Sequence, residues 1–162
     1  MTPINRSIVS AVVCFGLSAV LVGPASAQND SQVGVWKLNA AKSKYSPGPK
    51  PTSGTTTIVA AGAGTKVSVD QTMPDGTKRQ YSFTANYDGK DAPITGNNPD
   101  ADTVARTRVD ATTVRTVSKK DGKATTTQTS TVSKDGKTRT VTTKGVNAKG
   151  QTVSNVAVYE RQ

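Results

Sequence analysis

The chain has 162 residues, of which 33% are hydrophobic and 4% aromatic, with a formal net charge of +10, one cysteine and no histidine. Without histidine it lacks the usual general base near neutral pH, and Ser-His-Asp hydrolysis, Cys-His hydrolysis and His-containing zinc sites are excluded. The length suits a single domain that buries roughly two-thirds of its unfolded surface.

Residues 1–27 have the layout of a cleavable bacterial-type secretory signal peptide. Arg6 lies in a short basic start, an apolar or small stretch runs from Ile8 to Val22, Gly23-Pro24 breaks it, and Ala25-Ser26-Ala27 offers a small-x-small cleavage site. The run is shorter than the roughly 20 residues of a membrane-spanning helix, and no basic stop-transfer cluster follows it. Cleavage after Ala27 leaves residues 28–162 as one periplasmic or secreted domain with no transmembrane segment. Cys14 departs with the leader, so the domain must hold together without disulfides.

From there on Thr and Val dominate, and β-branched residues suit a pleated, half-buried surface. Turn sequences divide the chain closely: Gly62-Ala63-Gly64, Pro74-Asp75-Gly76, Asp88-Gly89, Gly96-Asn97-Asn98-Pro99, Asp110-Ala111, Asp121-Gly122, Asp135-Gly136 and Lys149-Gly150. The predicted strands are 33–39, 54–61, 65–72, 77–87, 90–95, 103–109, 112–119, 123–133, 137–144 and 151–161. Their order is that of an antiparallel meander of about 8 to 10 strands. Only Ala40 to Ser53 breaks the rhythm, a Pro-rich loop with room for one helical turn near Ala40 to Lys44. Thr116-Val117-Ser118-Lys119-Lys120-Asp121-Gly122-Lys123 returns as Thr131-Val132-Ser133-Lys134-Asp135-Gly136-Lys137, two hairpins sharing one turn design.

Alternation assigns faces. Tyr81, Phe83, Ala85 and Tyr87 share one side of a strand and point to the interior, as do Val67 and Val69, and Gly34, Trp36 and Leu38. In 123–133, Thr125, Thr127, Thr129 and Thr131 oppose Thr126, Gln128 and Ser130, and neither side is an ordinary apolar core.

The two ends of the domain carry a resemblance. Val33-Gly34-Val35-Trp36-Lys37-Leu38 resembles the Gly-x-Trp first strand of the calycin group, the lipocalins and intracellular fatty-acid-binding proteins. Val158-Tyr159-Glu160-Arg161 is similar to the last strand of the fatty-acid-binding proteins, and the layout resembles exported bacterial lipocalin-like proteins. The resemblance implies an all-β, up-and-down, closed or nearly closed lipocalin-like barrel. In such a barrel the first and last strands pair, and Trp36 lies near Arg161, with Gly34 at the same closure. A guanidinium over the indole would contribute about 0.5 to 2 kcal/mol. The family's carboxylate-anchoring arginine, two residues before the terminal tyrosine, is Ala157 here, so fatty-acid binding does not carry over.

Further exclusions follow from missing motifs. No Ser precedes a Lys by three residues, and there is no Gly-x-Ser-x-Gly, dinucleotide fingerprint or phosphate loop. Asp75, Asp88, Asp121 and Asp135 read as turn residues. Asp100 and Asp102, with Asn97 and Asn98, form either a solvated turn or a calcium-binding loop without the usual ligand spacing. Arg106 and Arg108 share one strand face. If it is interior they can hold an anionic head group, and if exterior they serve edge protection or solubility. Tyr45 and the Pro-rich loop either cover a barrel mouth or pin the loop.

These residues suggest a non-catalytic protein, without metal or cofactor, that binds a small amphipathic or anionic ligand through Tyr81, Phe83, Tyr87, Arg106, Arg108 and Tyr159. A second possibility is an envelope protein that binds cell-wall or lipid polyanions, because residues 104–162 hold 12 Lys or Arg against 4 acidic residues. Nucleic acid is not an expected partner, since clustered stacking aromatics are missing from the basic strands.

Overall fold

The computed structural model describes residues 30–162, and the leader expected at 1–27 lies outside the described residues. Eleven antiparallel strands form one sheet: β1 (Gly34–Leu38), β2 (Ser53–Ala61), β3 (Gly64–Thr72), β4 (Lys78–Asn86), β5 (Asp88–Pro93), β6 (Thr95–Gly96), β7 (Thr103–Arg108), β8 (Thr113–Lys120), β9 (Lys123–Val132), β10 (Thr138–Val146) and β11 (Thr152–Arg161). Hairpins connect most of them, so neighbours in sequence are neighbours in space. The turn aspartates explain how: Asp75, Asp88, Asp110 and Asp135 each accept the backbone N–H two residues on, from Thr77, Lys90, Thr112 and Lys137.

The sheet curls until its chain ends meet. β1 lies between β2 and β11, with Trp36 opposite Thr56 on one side and Arg161 on the other. The two free edges, β5 and β6, are halves of one extended segment joined by Ile94. The first half pairs with β7 and the last two residues pair with β4, Thr95 opposite Ser82 and Gly96 opposite Tyr81. The predicted strand 90–95 is thus divided, because Ile94 turns its N–H to the Asp102 carbonyl, away from β4. Gly96 is required at the crossing: its φ is +105°, and a Cβ there would run into the backbone of Gln80 and Tyr81.

Between β4 and β5 a seam without ladder hydrogen bonds remains. Ala85, Ala92 and Val104 fill it, with Phe83 and Ile94 packed against them. The main core lies within the barrel around Trp36, Ile58, Val67, Val132, Val141 and Tyr159. No helix forms among the described residues. The helical turn expected near Ala40 to Lys44 is a hydrogen-bonded turn, Ser43 N–H to the Ala40 carbonyl, after which Lys44 bridges to Val156 on β11. Exchanging backbone hydrogen bonds with the part of β11 that β1 does not cover satisfies groups that a single helical turn would leave unpaired.

Candidate functional site

One end of the barrel is closed by residues 30–33. Gln32 is completely buried and acts as the stopper: its amide donates to the Thr112 carbonyl (2.7 Å) and accepts from Ser130 Oγ (2.8 Å) and Arg139 Nε (3.2 Å). Its backbone carbonyl accepts Trp36 Nε1 at 2.8 Å. Arg161 clamps this plug from outside. Its guanidinium lies 4.2 Å from the centre of the Trp36 ring and donates to the carbonyls of Gly136 (2.6 Å), Val33 (2.6 Å) and Ser31 (2.9 Å). Gly34 leaves room for it: with φ of +147°, a side chain there would collide with that guanidinium.

Asp30 extends the closure. Its carboxylate accepts from Arg108 Nη2 at 2.6 Å and from the Tyr87 hydroxyl, and Arg108 stacks 4.1 Å from the Tyr87 ring centre. Burial alone would raise the Asp30 pKa, but hydrogen bonds from Tyr87, Arg108 and the Gln32 backbone outweigh it and hold the carboxyl below its ordinary value. Burial, reinforced by that same bond to Asp30, pushes the Tyr87 phenol up.

Above this floor lies a cavity of about 280 Å³. Tyr81, Phe83, Val67, Val69, Val141 and Tyr159 supply its apolar and aromatic surface, while Thr116, Ser118, Gln128 and Thr143 give it a hydroxyl- and amide-bearing wall. The mouth is framed by Tyr45 and the Pro-rich loop, with Arg79 and Asp100 paired at 3.4 Å on the rim. Tyr45 does both things anticipated for it: it lines the mouth and packs against the core. The loop is held to β11, since Ser46 exchanges hydrogen bonds with Ser154 and the Asn155 side chain.

Two arginines reach the cavity without a carboxylate. Arg106, on β7, is 2% exposed. Nη1 donates to Thr65 Oγ1, the guanidinium carbon lies 5.8 and 5.0 Å from the ring centres of Phe83 and Tyr87, and Nε has no partner. Arg139, on β10, is 7% exposed. Nε donates to Ser130 Oγ (2.8 Å) and to Gln32, and the guanidinium lies 5.6 Å from the Tyr159 ring centre. Its two terminal amino groups donate to no protein acceptor among the described residues, and neither arginine forms an ion pair there. Burial lowers both pKa values, that of Arg139 to about 10, and a guanidinium keeps its proton inside proteins. Leaving a buried ion unpaired costs several kcal/mol. Aromatic faces and hydroxyls offset only part of that.

The residues singled out from sequence therefore separate into three groups. Tyr81, Phe83, Arg106 and Tyr159 face the cavity, whereas Tyr87 and Arg108 are engaged with Asp30 in the closed end. Trp36, Gly34 and Arg161 meet at the joint between first and last strands. Arg139 was not among them. The signal for it was the last hairpin: its register sets Arg139 opposite Tyr159, so a guanidinium reaches that tyrosine from the neighbouring strand although Ala157 has none. Asp100 faces Arg79, Asp102 accepts the Asp121 N–H, and no group of three metal-binding side chains occurs among the described residues.

An up-and-down antiparallel meander whose first and last strands pair, with a single unbonded seam and a cavity open at one end, is a nearly closed calycin-like barrel. No protein-family model and no curated protein matches the chain. Among solved structures it is similar to zebrafish ileal bile acid-binding protein complexed with cholic acid, with 14% identity and a TM-score of 0.49, over 82% of this chain and 99% of that one.

Proposed function

We propose that this is an exported, non-catalytic binding protein for a small amphipathic anion, working in the periplasm or outside the cell. The observation that carries this is the pair of buried arginines, Arg106 and Arg139, which face one cavity and form no ion pair among the described residues. An anionic head group placed there gains charge-assisted hydrogen bonds in a low-dielectric site and relieves the cost of the unpaired cations. The apolar part of the ligand would then run along Tyr81, Phe83 and Val69 toward the mouth at Tyr45. Four of the 12 cationic residues after position 103, Arg106, Arg108, Arg139 and Arg161, are committed to the interior or the end closure. The two buried ones, Arg106 and Arg139, add nothing to an outer surface for polyanions, which favours the interior ligand over the envelope-polymer alternative.

The test is competition between octanoate and octanol for an environment-sensitive anionic dye, anilinonaphthalene sulfonate, in the cavity of the purified protein. Octanoate is expected to displace the dye at concentrations at least tenfold lower than octanol, reflecting roughly 1.4 kcal/mol or more from the head group. Equal displacement by both, or dye that never binds the folded protein, refutes the reading. Native mass spectrometry of protein isolated from its own cell envelope would show the natural ligand as added mass.

A further inference from the structure

The anion-binding reading leaves the head group open, and the floor of the cavity narrows it. Arg106, Arg108 and Arg139 surround that floor and Asp30 is its one carboxylate, so the formal balance there is +2. Arg79 and Asp100, farther up at the rim, cancel each other. A monoanion such as a carboxylate would leave one positive charge buried and uncompensated, whereas a dianion would leave none.

The free donors point the same way. Arg106 Nε is buried and has no partner. The two terminal amino groups of Arg139 and the Tyr81 hydroxyl make no hydrogen bond among the described residues. These groups come from β4 and β7, which flank the seam, and from β10 farther round the wall. A planar carboxylate has two oxygens that accept chiefly in one plane. A tetrahedral oxyanion has three and can accept from several directions at once.

We propose that the ligand's head group is a tetrahedral dianion of the phosphate-monoester type, held between Arg106 and Arg139. This rests on the anion-binding reading and sharpens it. Because a phosphate monoester takes its second charge near pH 6, binding should strengthen through that point while carboxylate binding stays level. The protein adds little titration of its own there. There is no histidine, Asp30 is kept ionised by Tyr87 and Arg108, and burial keeps the Tyr81, Tyr87 and Tyr45 phenols neutral.

Isothermal titration calorimetry of the purified protein with monooctyl phosphate, octyl sulfate and octanoate, at pH 5.5 and pH 8, tests this. Octyl sulfate is tetrahedral but singly charged and so separates shape from charge. At pH 8 the phosphate ester is expected to bind about tenfold or more tightly than either monoanion, and at pH 5.5 most of that advantage should vanish. Arg139→Gln and Arg106→Gln should each bring the three ligands to similar affinity, with folding checked by circular dichroism. Equal affinities for octanoate and octyl phosphate at both pH values, or sulfate binding as tightly as phosphate at pH 8, overturn the dianion while leaving the anion reading intact. If none of the three binds folded protein, both fall together.

Discussion

Replacing Arg161 with alanine removes the clamp between the chain ends without touching the cavity. The side chain makes three hydrogen bonds to carbonyl oxygens and covers the Trp36 ring at 4.2 Å. Buried charge-assisted bonds would count for about 1.5 to 3 kcal/mol each, but Arg161 is largely exposed, so about 0.5 to 1 kcal/mol each is the better figure. With a further 0.5 to 1 kcal/mol from the stacked indole, and allowing for non-additivity within one group, Arg161→Ala should cost about 2 to 3 kcal/mol. In a domain of this size that lowers the melting temperature by roughly 6 to 15 °C. Urea unfolding followed by fluorescence of Trp36, the only tryptophan, gives the midpoint and slope directly. Arg161→Lys keeps the charge but loses the fork, and should recover less than half of the loss. A midpoint for Arg161→Ala equivalent to less than 0.5 kcal/mol of destabilisation, at unchanged slope, would show that the clamp is incidental and that ladder pairing alone joins β1 to β11.

Three other outcomes follow from the same geometry. Arg106→Met exchanges an unpaired buried cation for an apolar side chain of similar length; it should leave stability unchanged or raise it by about 1 to 2 kcal/mol while weakening octanoate binding at least tenfold, read by urea unfolding and dye displacement. Asp30 has its pKa depressed in the folded state, so its contribution is present above the unfolded value and is lost as pH falls through the folded one. Asp30→Asn should therefore be less stable than the parent at pH 7, and the gap should narrow below about pH 4 in parallel urea titrations. Gly96→Ala places a Cβ against the Gln80 and Tyr81 backbone at a φ of +105° and should cost about 2 kcal/mol or more, with faster amide exchange at Asn97, whose N–H donates to the Gln80 carbonyl.

Much of the barrel was readable because its turns declare themselves. An aspartate that bonds the amide two residues ahead acts locally, so Asp75, Asp110 and Asp135 mark strand ends without reference to anything distant. Alternation likewise placed Trp36, Val67, Tyr81 and Phe83 inward. Periodicity failed on the Thr-rich strands because both faces are polar: Gln128 and Ser130 face in and Thr129 and Thr131 face out, with no difference in hydropathy between them. The same ambiguity hid Arg139 and left Arg106 undecided, because a buried cation carries no period of its own. Gln32 had no local signal at all. The partners of its side chain lie 80 to 107 residues away and exist only once the sheet has curled. The division of 90–95 at Ile94 also has a distant cause, the Asp102 carbonyl, which no pattern within the strand discloses.

The unbonded stretch between β4 and β5 gives the wall an expansion joint. Elsewhere the girth of the barrel is set by strand number and ladder register, and widening it means breaking backbone hydrogen bonds. Along this stretch neighbouring strands meet mainly through Phe83, Ala85, Ala92, Ile94 and Val104, whose contacts are weak individually and have no fixed direction, while the Arg106–Thr65 hydrogen bond crosses it at the floor. The hoop can therefore take up a thicker guest by sliding these side chains apart while every ladder stays intact. Phe83 is also part of the cavity wall and lies beside Arg106, so any such adjustment is felt where the ligand would sit.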